Sequence, residues 1–239
     1  MNIITIDNLS KNYKKVEALK DISLNVEKGE LFGLLGVNGA GKTTLIKILC
    51  CLTKKSSGNA FVSGYNLDNE VDKIKEIIGV SPQETSVALN LSVKENLEFF
   101  NNIYNKSTNE ELQEIISVFN LNGVLNQKAK TLSGGYKRRL SIAVSLISRP
   151  EILFLDEPTL GLDVLSRREL WKIIEKLKGK ITIILTSHYL EEIEHLCDRV
   201  AILSKGKVLK IGTVSELKEI TNSTTFEDSF VKLVEAQNE

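Results

Sequence analysis

The stretch Gly36-Val37-Asn38-Gly39-Ala40-Gly41-Lys42-Thr43-Thr44 has the spacing G-x-x-x-x-G-K-[ST], a pattern that binds nucleotide phosphates. Glycines let backbone N–H groups turn inward around the phosphates, and a following helix adds partial positive charge at the same point. Lys42 would bring a point charge to the outer phosphates and Thr43 a hydroxyl for Mg²⁺. Downstream, Ile152-Leu153-Phe154-Leu155-Asp156-Glu157 is an apolar run ending in two carboxylates. A buried strand there would deliver Asp156 to the edge of a sheet as a metal ligand. Glu157, one residue on, would polarise the attacking water as general base. Between these motifs, Ser133-Gly134-Gly135 precedes an amphipathic stretch. Serine caps helices and glycine permits close approach, so this reads as a second anion site at a helix N-terminus.

The elements around these residues follow from hydrophobic spacing. Ile3–Ile6, Ile22–Val26 and Leu31–Leu35 read as strands, with Lys28-Gly29-Glu30 a turn. Leu31–Leu35 is almost wholly apolar, as in a strand buried on both faces. Leu45, Ile48, Leu49 and Leu52 lie at i, i+3, i+4, i+7 and predict a helix after the phosphate loop. Ala60–Val62 reads as a short strand. Val93, Leu97, Phe100 and Tyr104 mark a helix, which Ser92 and Glu95 open with a capping box. Glu110–Phe119 reads as another. A third stripe is Leu140, Ala143, Val144 and Ile147, with Lys137, Arg138 and Ser141 off it. Strands Ile152–Leu155, Ile181–Leu185, Val200–Leu203 and Val208–Ile211 then alternate with helices through Leu170–Leu177 and Leu190–Leu196. The βαβ alternation predicts an α/β fold with a parallel core sheet and a helical lobe inserted at about residues 84–148. Residues 221–239 read as a short polar tail with one helix near Phe226–Val234.

Composition sets outer limits. Of 239 residues, 31 are acidic and 31 basic, giving zero net charge. Nucleic-acid binders usually carry a basic excess, so nucleic acid is not an expected partner. No apolar run reaches the roughly 20 residues that span a bilayer, and the first seven residues lack the pattern of a secretory signal. Three cysteines, Cys50, Cys51 and Cys197, have no metal-site spacing and read as reduced thiols.

Taken together, the motifs resemble the nucleotide-binding subunit of an ATP-binding-cassette (ABC) transporter over roughly residues 3–220. The resemblance implies a P-loop NTPase core with an antiparallel β subdomain and an inserted helical subdomain. It implies that two copies, identical or different, close head to tail on ATP and Mg²⁺. Gly36–Thr44 of one copy and the signature Leu132–Tyr136 of the other, through Ser133, Gly134 and Gly135, would enclose each nucleotide. By the same resemblance Tyr13 stacks on adenine, and Gln83 senses the γ-phosphate, helps hold Mg²⁺ and touches the membrane partner. Asp163 links the two sites and His188 holds the γ-phosphate. On their own residues, Tyr13 is one of five tyrosines, Gln83 a loop amide, Asp163 a helix N-cap and His188 a cap after a strand.

Tyr136 departs from the glutamine usual at the fifth signature position. With Leu91–Leu97 and Phe226–Phe230, it resembles export-type subunits. The expectation is an ATPase that powers a separately encoded permease, held on the cytoplasmic face of the membrane. The alternative is a soluble cassette ATPase acting on a ribosome, DNA or a metal-cluster scaffold. Ribosome-acting relatives generally pair two cassettes in a chain, and DNA-acting ones carry long insertions; neither feature is present here.

Overall fold

The computed structural model describes residues 1–237. Strands β1 (Asn2–Tyr13) and β2 (Val16–Glu27) form an antiparallel hairpin, and β3 (Leu31–Leu35) runs into the phosphate loop and α1 (Lys42–Leu49). Next come β4 (Ser57–Val62), β5 (Tyr65–Asn66), α2 (Val71–Ile77) and β6 (Ile78–Ser81). Three helices follow: α3 (Val93–Tyr104), α4 (Asn109–Val118) and α5 (Gly134–Leu146). The chain then alternates through β7 (Ile152–Asp156), α6 (Val164–Leu177), β8 (Thr182–Ser187), α7 (Leu190–Leu196) and β9 (Arg199–Ser204). It closes with β10 (Lys207–Gly212), α8 (Val214–Ile220) and α9 (Phe226–Glu235).

Two sheets result, one antiparallel in the order β2-β1-β4-β5 and one of six strands in the order β10-β9-β3-β8-β7-β6. In the second, β9, β3, β8, β7 and β6 are parallel and only β10 is antiparallel. Strand β3 shows why a run of apolar residues is needed there, since all five of its residues are buried. Phe32 and Leu34 enter one core with Leu45, Ile48 and Leu49 of α1 and the inner face of the antiparallel sheet. Leu31 and Leu35 enter the other, which the helices α3 to α7 cover. Side chains of successive strand residues point to opposite faces, so a strand between two cores must be apolar throughout. Gly33, between them, has a packing role: a Cβ there would lie 2.9 Å from Cys197 Sγ and Ile193 Cδ1, so its absence lets α7 close on the sheet.

Several expectations change. β1 and β2 each run to 12 residues, well beyond the apolar segments Ile3–Ile6 and Ile22–Val26, because register shifts along the hairpin interrupt the alternation of inward residues. Helix α1 stops at Leu49, and Cys51 has a φ of 57°, so Leu52 leaves the stripe and is 67% exposed. The short α2 and β6 carry too few residues to show a period, and no sequence signal marked them. In α5, Arg138 and Ser141 lie off the apolar stripe yet are buried. The helix is enclosed by β6 and β7 on one side and α3, α4 and α6 on others. The capping box Ser92–Glu95 is present, and Thr108–Glu111 makes a second one that opens α4. The expected helix near Phe226 is α9, with Phe226 buried and the Ser229 hydroxyl donating to Leu217 O at 2.9 Å. The cysteines are all free. Among the described residues, no helix is long and apolar enough to cross a membrane.

Candidate active site

The phosphate loop leaves β3 where only glycine fits. A Cβ on Gly36 would sit 2.4 Å from Leu203 O, and Gly41, at φ 108°, would meet Leu19 Cδ2 at 2.7 Å. Gly41 caps α1 without a side-chain hydrogen bond, which leaves the first-turn N–H groups of the helix to an anion. Lys42 is 5% exposed and its Nζ donates to Gly36 O at 2.6 Å. Burial pushes its pKa down, while Glu157 and Asp156 pull it back up. A buried ammonium held by loop carbonyls, beside unsatisfied helix N–H groups, is what a polyphosphate would complete.

A cavity of about 580 Å³ opens over this loop. Asn38, Gly39, Ala40, Gly41, Lys42, Thr43 and Thr44 line it, together with Gln83 and Glu157. Val16, Ala18 and Lys20 from β2 form its outer wall with Lys205 and Gly206. Tyr13 stands at the end of β1, 43% exposed, opposite Val16 and with Lys11 Nζ 4.6 Å from its ring centroid.

The carboxylates sit at the C-terminal end of β7, beside the end of β8. Asp156 is buried and pairs in register with Thr186. The Thr186 hydroxyl donates to Asp156 Oδ1 at 2.6 Å and accepts from the Glu157 backbone N–H at 2.9 Å. One side chain thus fixes both acidic residues. Glu157 adopts a left-handed φ of 47°, a conformation that costs energy in a residue other than glycine and turns its carboxylate back toward the loop. Its Oε1 lies 3.8 Å from Lys42 Nζ and 3.3 Å from His188 Nδ1. The histidine nitrogen is buried and makes no aligned hydrogen bond, while its ring leans on Tyr189 at 4.1 Å. Thr186 was not singled out from the sequence, because its role depends on β7 and β8 being neighbours.

The Ser133 segment lies apart from this cavity. Ser133 caps α5, accepting from Tyr136 N–H at 3.4 Å, and both it and Gly134 are exposed. Gly135 is buried for another reason: a Cβ would lie 2.8 Å from Ser166 Oγ, so it lets α5 approach α6. Asp163 caps α6, accepting from Leu165 N–H and Ser166 N–H at 3.0 Å each and from the Ser166 hydroxyl at 2.7 Å. These bonds hold its carboxyl below the usual range. One copy therefore brings Lys42, Thr43, Gln83, Glu157 and His188 together and leaves Ser133 and Gly134 facing outward.

Residues 19–160 match the family model described as ABC transporter. The chain belongs to the ABC transporter family. It is 40% identical to the linearmycin resistance ATP-binding protein LnrL of Bacillus subtilis, over 90% of this chain and 70% of that one. It is 36% identical to the probable multidrug ABC transporter ATP-binding protein YbhF of Escherichia coli, over 97% of this chain but only 42% of that one. Among solved structures, an ATP-binding subunit of an ABC transporter superposes with a TM-score of 0.86 at 26% identity, covering 97% and 99% of the two chains. A dimeric cassette in a post-hydrolysis state, bound to ADP and Pi, superposes with a TM-score of 0.77 at 27% identity, covering 88% and 98%. The fold is the ABC cassette form of the P-loop NTPases, and its chemistry is ATP hydrolysis.

Proposed function

We propose that this ABC cassette is the motor of a membrane exporter whose membrane-spanning part is a separate polypeptide, and that it works as a pair of copies enclosing two ATP molecules. The observation that carries the pairing is the outward-facing Ser133–Gly134 helix start, remote from the chain's own phosphate cavity. An exposed helix N-terminus suited to anions, with no anion site of its own chain beneath it, fits the open side of another copy's nucleotide. The dimeric ADP- and Pi-bound relative supports this arrangement. Export is supported by the resistance and multidrug names of the two relatives above.

Within one copy, Lys42 and the loop N–H groups hold the outer phosphates, and Tyr13 covers the base. Glu157 orients and deprotonates the attacking water, with His188 beside it contacting the γ-phosphate. The oxygen set suits Mg²⁺: the Thr43 hydroxyl, the Gln83 amide and Asp156, of which only Oδ1 is engaged by Thr186 among the described residues. When bound, the ion neutralises charge on the β- and γ-phosphates. Docking to the permease falls to the inserted lobe, where Phe99 and Ile103, one turn apart on α3, are 50% and 59% exposed. Leu89, 51% exposed, stands in a turn fastened to α3 by buried Asn96, which bonds both the N–H and the C=O of Ala88. On this reading the protein works at the cytoplasmic face of a membrane.

The test is a pull-down of the tagged chain from detergent-solubilised native membranes. A polytopic membrane protein in fixed stoichiometry is the expected result. Recovery from the soluble fraction alone, with ribosomal or scaffold proteins, would overturn the transport reading and leave the ATPase standing.

A further inference from the structure

Three contacts fasten β6 to α5 in antiparallel register. At the first, Gly79 lets the elements touch: a Cβ would lie 2.4 Å from Ser145 O. At the second, the Ser81 and Ser141 hydroxyls are 3.2 Å apart. At the third, where β6 ends and the Gln83 loop begins, Arg138 donates Nη1–H to Pro82 O at 2.7 Å and Nη2–H to Gln83 O at 2.6 Å. Arg138 is 6% exposed, so its guanidinium has left water for two backbone carbonyls. Such a fork is rigid and charge-assisted, and losing it strands two acceptors. Burial works against its charge, and Asp156 and Glu192 offset part of that cost. Beyond β6, no backbone–backbone hydrogen bond holds residues 82–87 among the described residues. The loop that brings Gln83 into the cavity is therefore held mainly by a side chain of the helix that Ser133 caps.

That connection has a mechanical consequence. Arg138 is five residues from Ser133, about 7.5 Å along a rigid helix. A displacement of the helix start must move the guanidinium, and with it the two carbonyls. We propose that Arg138 is a positioning residue that carries engagement of Ser133–Gly135 by a second copy's nucleotide into the Gln83 loop of its own site. The two ATP sites of a pair are thereby coupled through each chain. This inference rests on the paired arrangement proposed above.

The test uses the full chain carrying Glu157→Gln, chosen to slow hydrolysis, with ATP and Mg²⁺. Sedimentation reports pairing, and amide hydrogen exchange reports order in residues 83–88. Pairing is expected to slow exchange in that loop by at least about tenfold. With Arg138→Met added, which keeps the buried stem, pairs should still form while loop protection falls below about threefold. In the chain with Glu157 intact, Arg138→Met should lower kcat about tenfold with KM for ATP within about twofold, the split expected of a residue that orders the site without binding substrate. Arg138→Lys, which keeps the charge but not the fork, should fall between and covers the case in which the methionine variant does not fold. Unchanged loop protection and kcat in a variant that still pairs would overturn the coupling alone. No pairing in the Glu157→Gln chain itself would overturn the paired arrangement and this inference with it.

Discussion

One hydroxyl bonds both acidic residues of the site. Thr186 donates to Asp156 Oδ1 and receives the Glu157 N–H, so the threonine fixes a carboxylate and a strained backbone turn together. Thr186→Val keeps the shape of the side chain and removes both hydroxyl bonds, leaving the Glu157 N–H only its longer bond to Thr186 O at 3.2 Å. A hydrogen bond to a charged group contributes about 1.5–3 kcal/mol, so stability should fall by that order in a denaturant titration. Turnover should fall further, by roughly ten- to a hundredfold, because small misplacements in a preorganised site are costly. Nucleotide affinity measured without Mg²⁺ should not change, since Lys42 and the loop are untouched. Equal turnover in the variant would show that Asp156 and Glu157 hold their places without the threonine. The motif residues themselves were legible in the sequence because the phosphate loop and the Asp-Glu pair each lie within a single short segment. Thr186 was not, because its partners are thirty residues away and meet it only when β7 and β8 pair.

At the scale of elements, the buried strands and the capped helices were readable, since period and cap are local signals. What escaped were α2 and β6, too short for a period, α8 despite its Thr213–Glu216 capping box, and the burial of Arg138 and Ser141 on α5, which depends on the elements that surround it. Helix α7 shows a similar limit, for Glu192 looks like one of several surface acids in its sequence and is wholly buried. Its Oε1 accepts from Trp171 Nε1–H at 3.1 Å, and burial raises its pKa, against the nearby Ser187 and Thr159 hydroxyls, the Trp171 bond and the charge of Arg167. The sign follows from linkage. Below the usual value of 4.5 both folded and unfolded chains hold the proton. Above it the unfolded chain releases the proton first, so this group's stabilisation is lost as pH rises through the raised folded value. Glutamine imitates the protonated acid and does not titrate. Glu192→Gln should therefore melt higher than the parent at pH 8, by on the order of 1 kcal/mol or roughly 2–4 °C. The difference should shrink as pH falls toward that of a free carboxyl. A constant difference across that range would mean that burial does not raise the pKa of Glu192.

At the scale of the whole molecule, the proposed function gives separate tasks to two sets of residues, those that line the open phosphate cavity and the exposed apolar residues of α3, and no residue is common to both. Phe99 and Ile103 contribute little to the core, which α3 reaches through Val93 and Leu97. An exposed apolar pair at i, i+4 is not required by the fold. Replacing Phe99 and Ile103 together by aspartate should separate the two tasks. Stability should drop by no more than about 1 kcal/mol, the cost of poorer helix formers at solvated positions. ATP turnover of the isolated chain should be preserved, since neither residue approaches the cavity. Recovery of the membrane protein in the pull-down should be lost, because two carboxylates on an apolar contact cannot be desolvated without a partner charge. Intact recovery would move the docking surface off α3 while leaving the catalytic reading unaffected, whereas loss of turnover in the isolated chain would show that the lobe and the cavity are not independent.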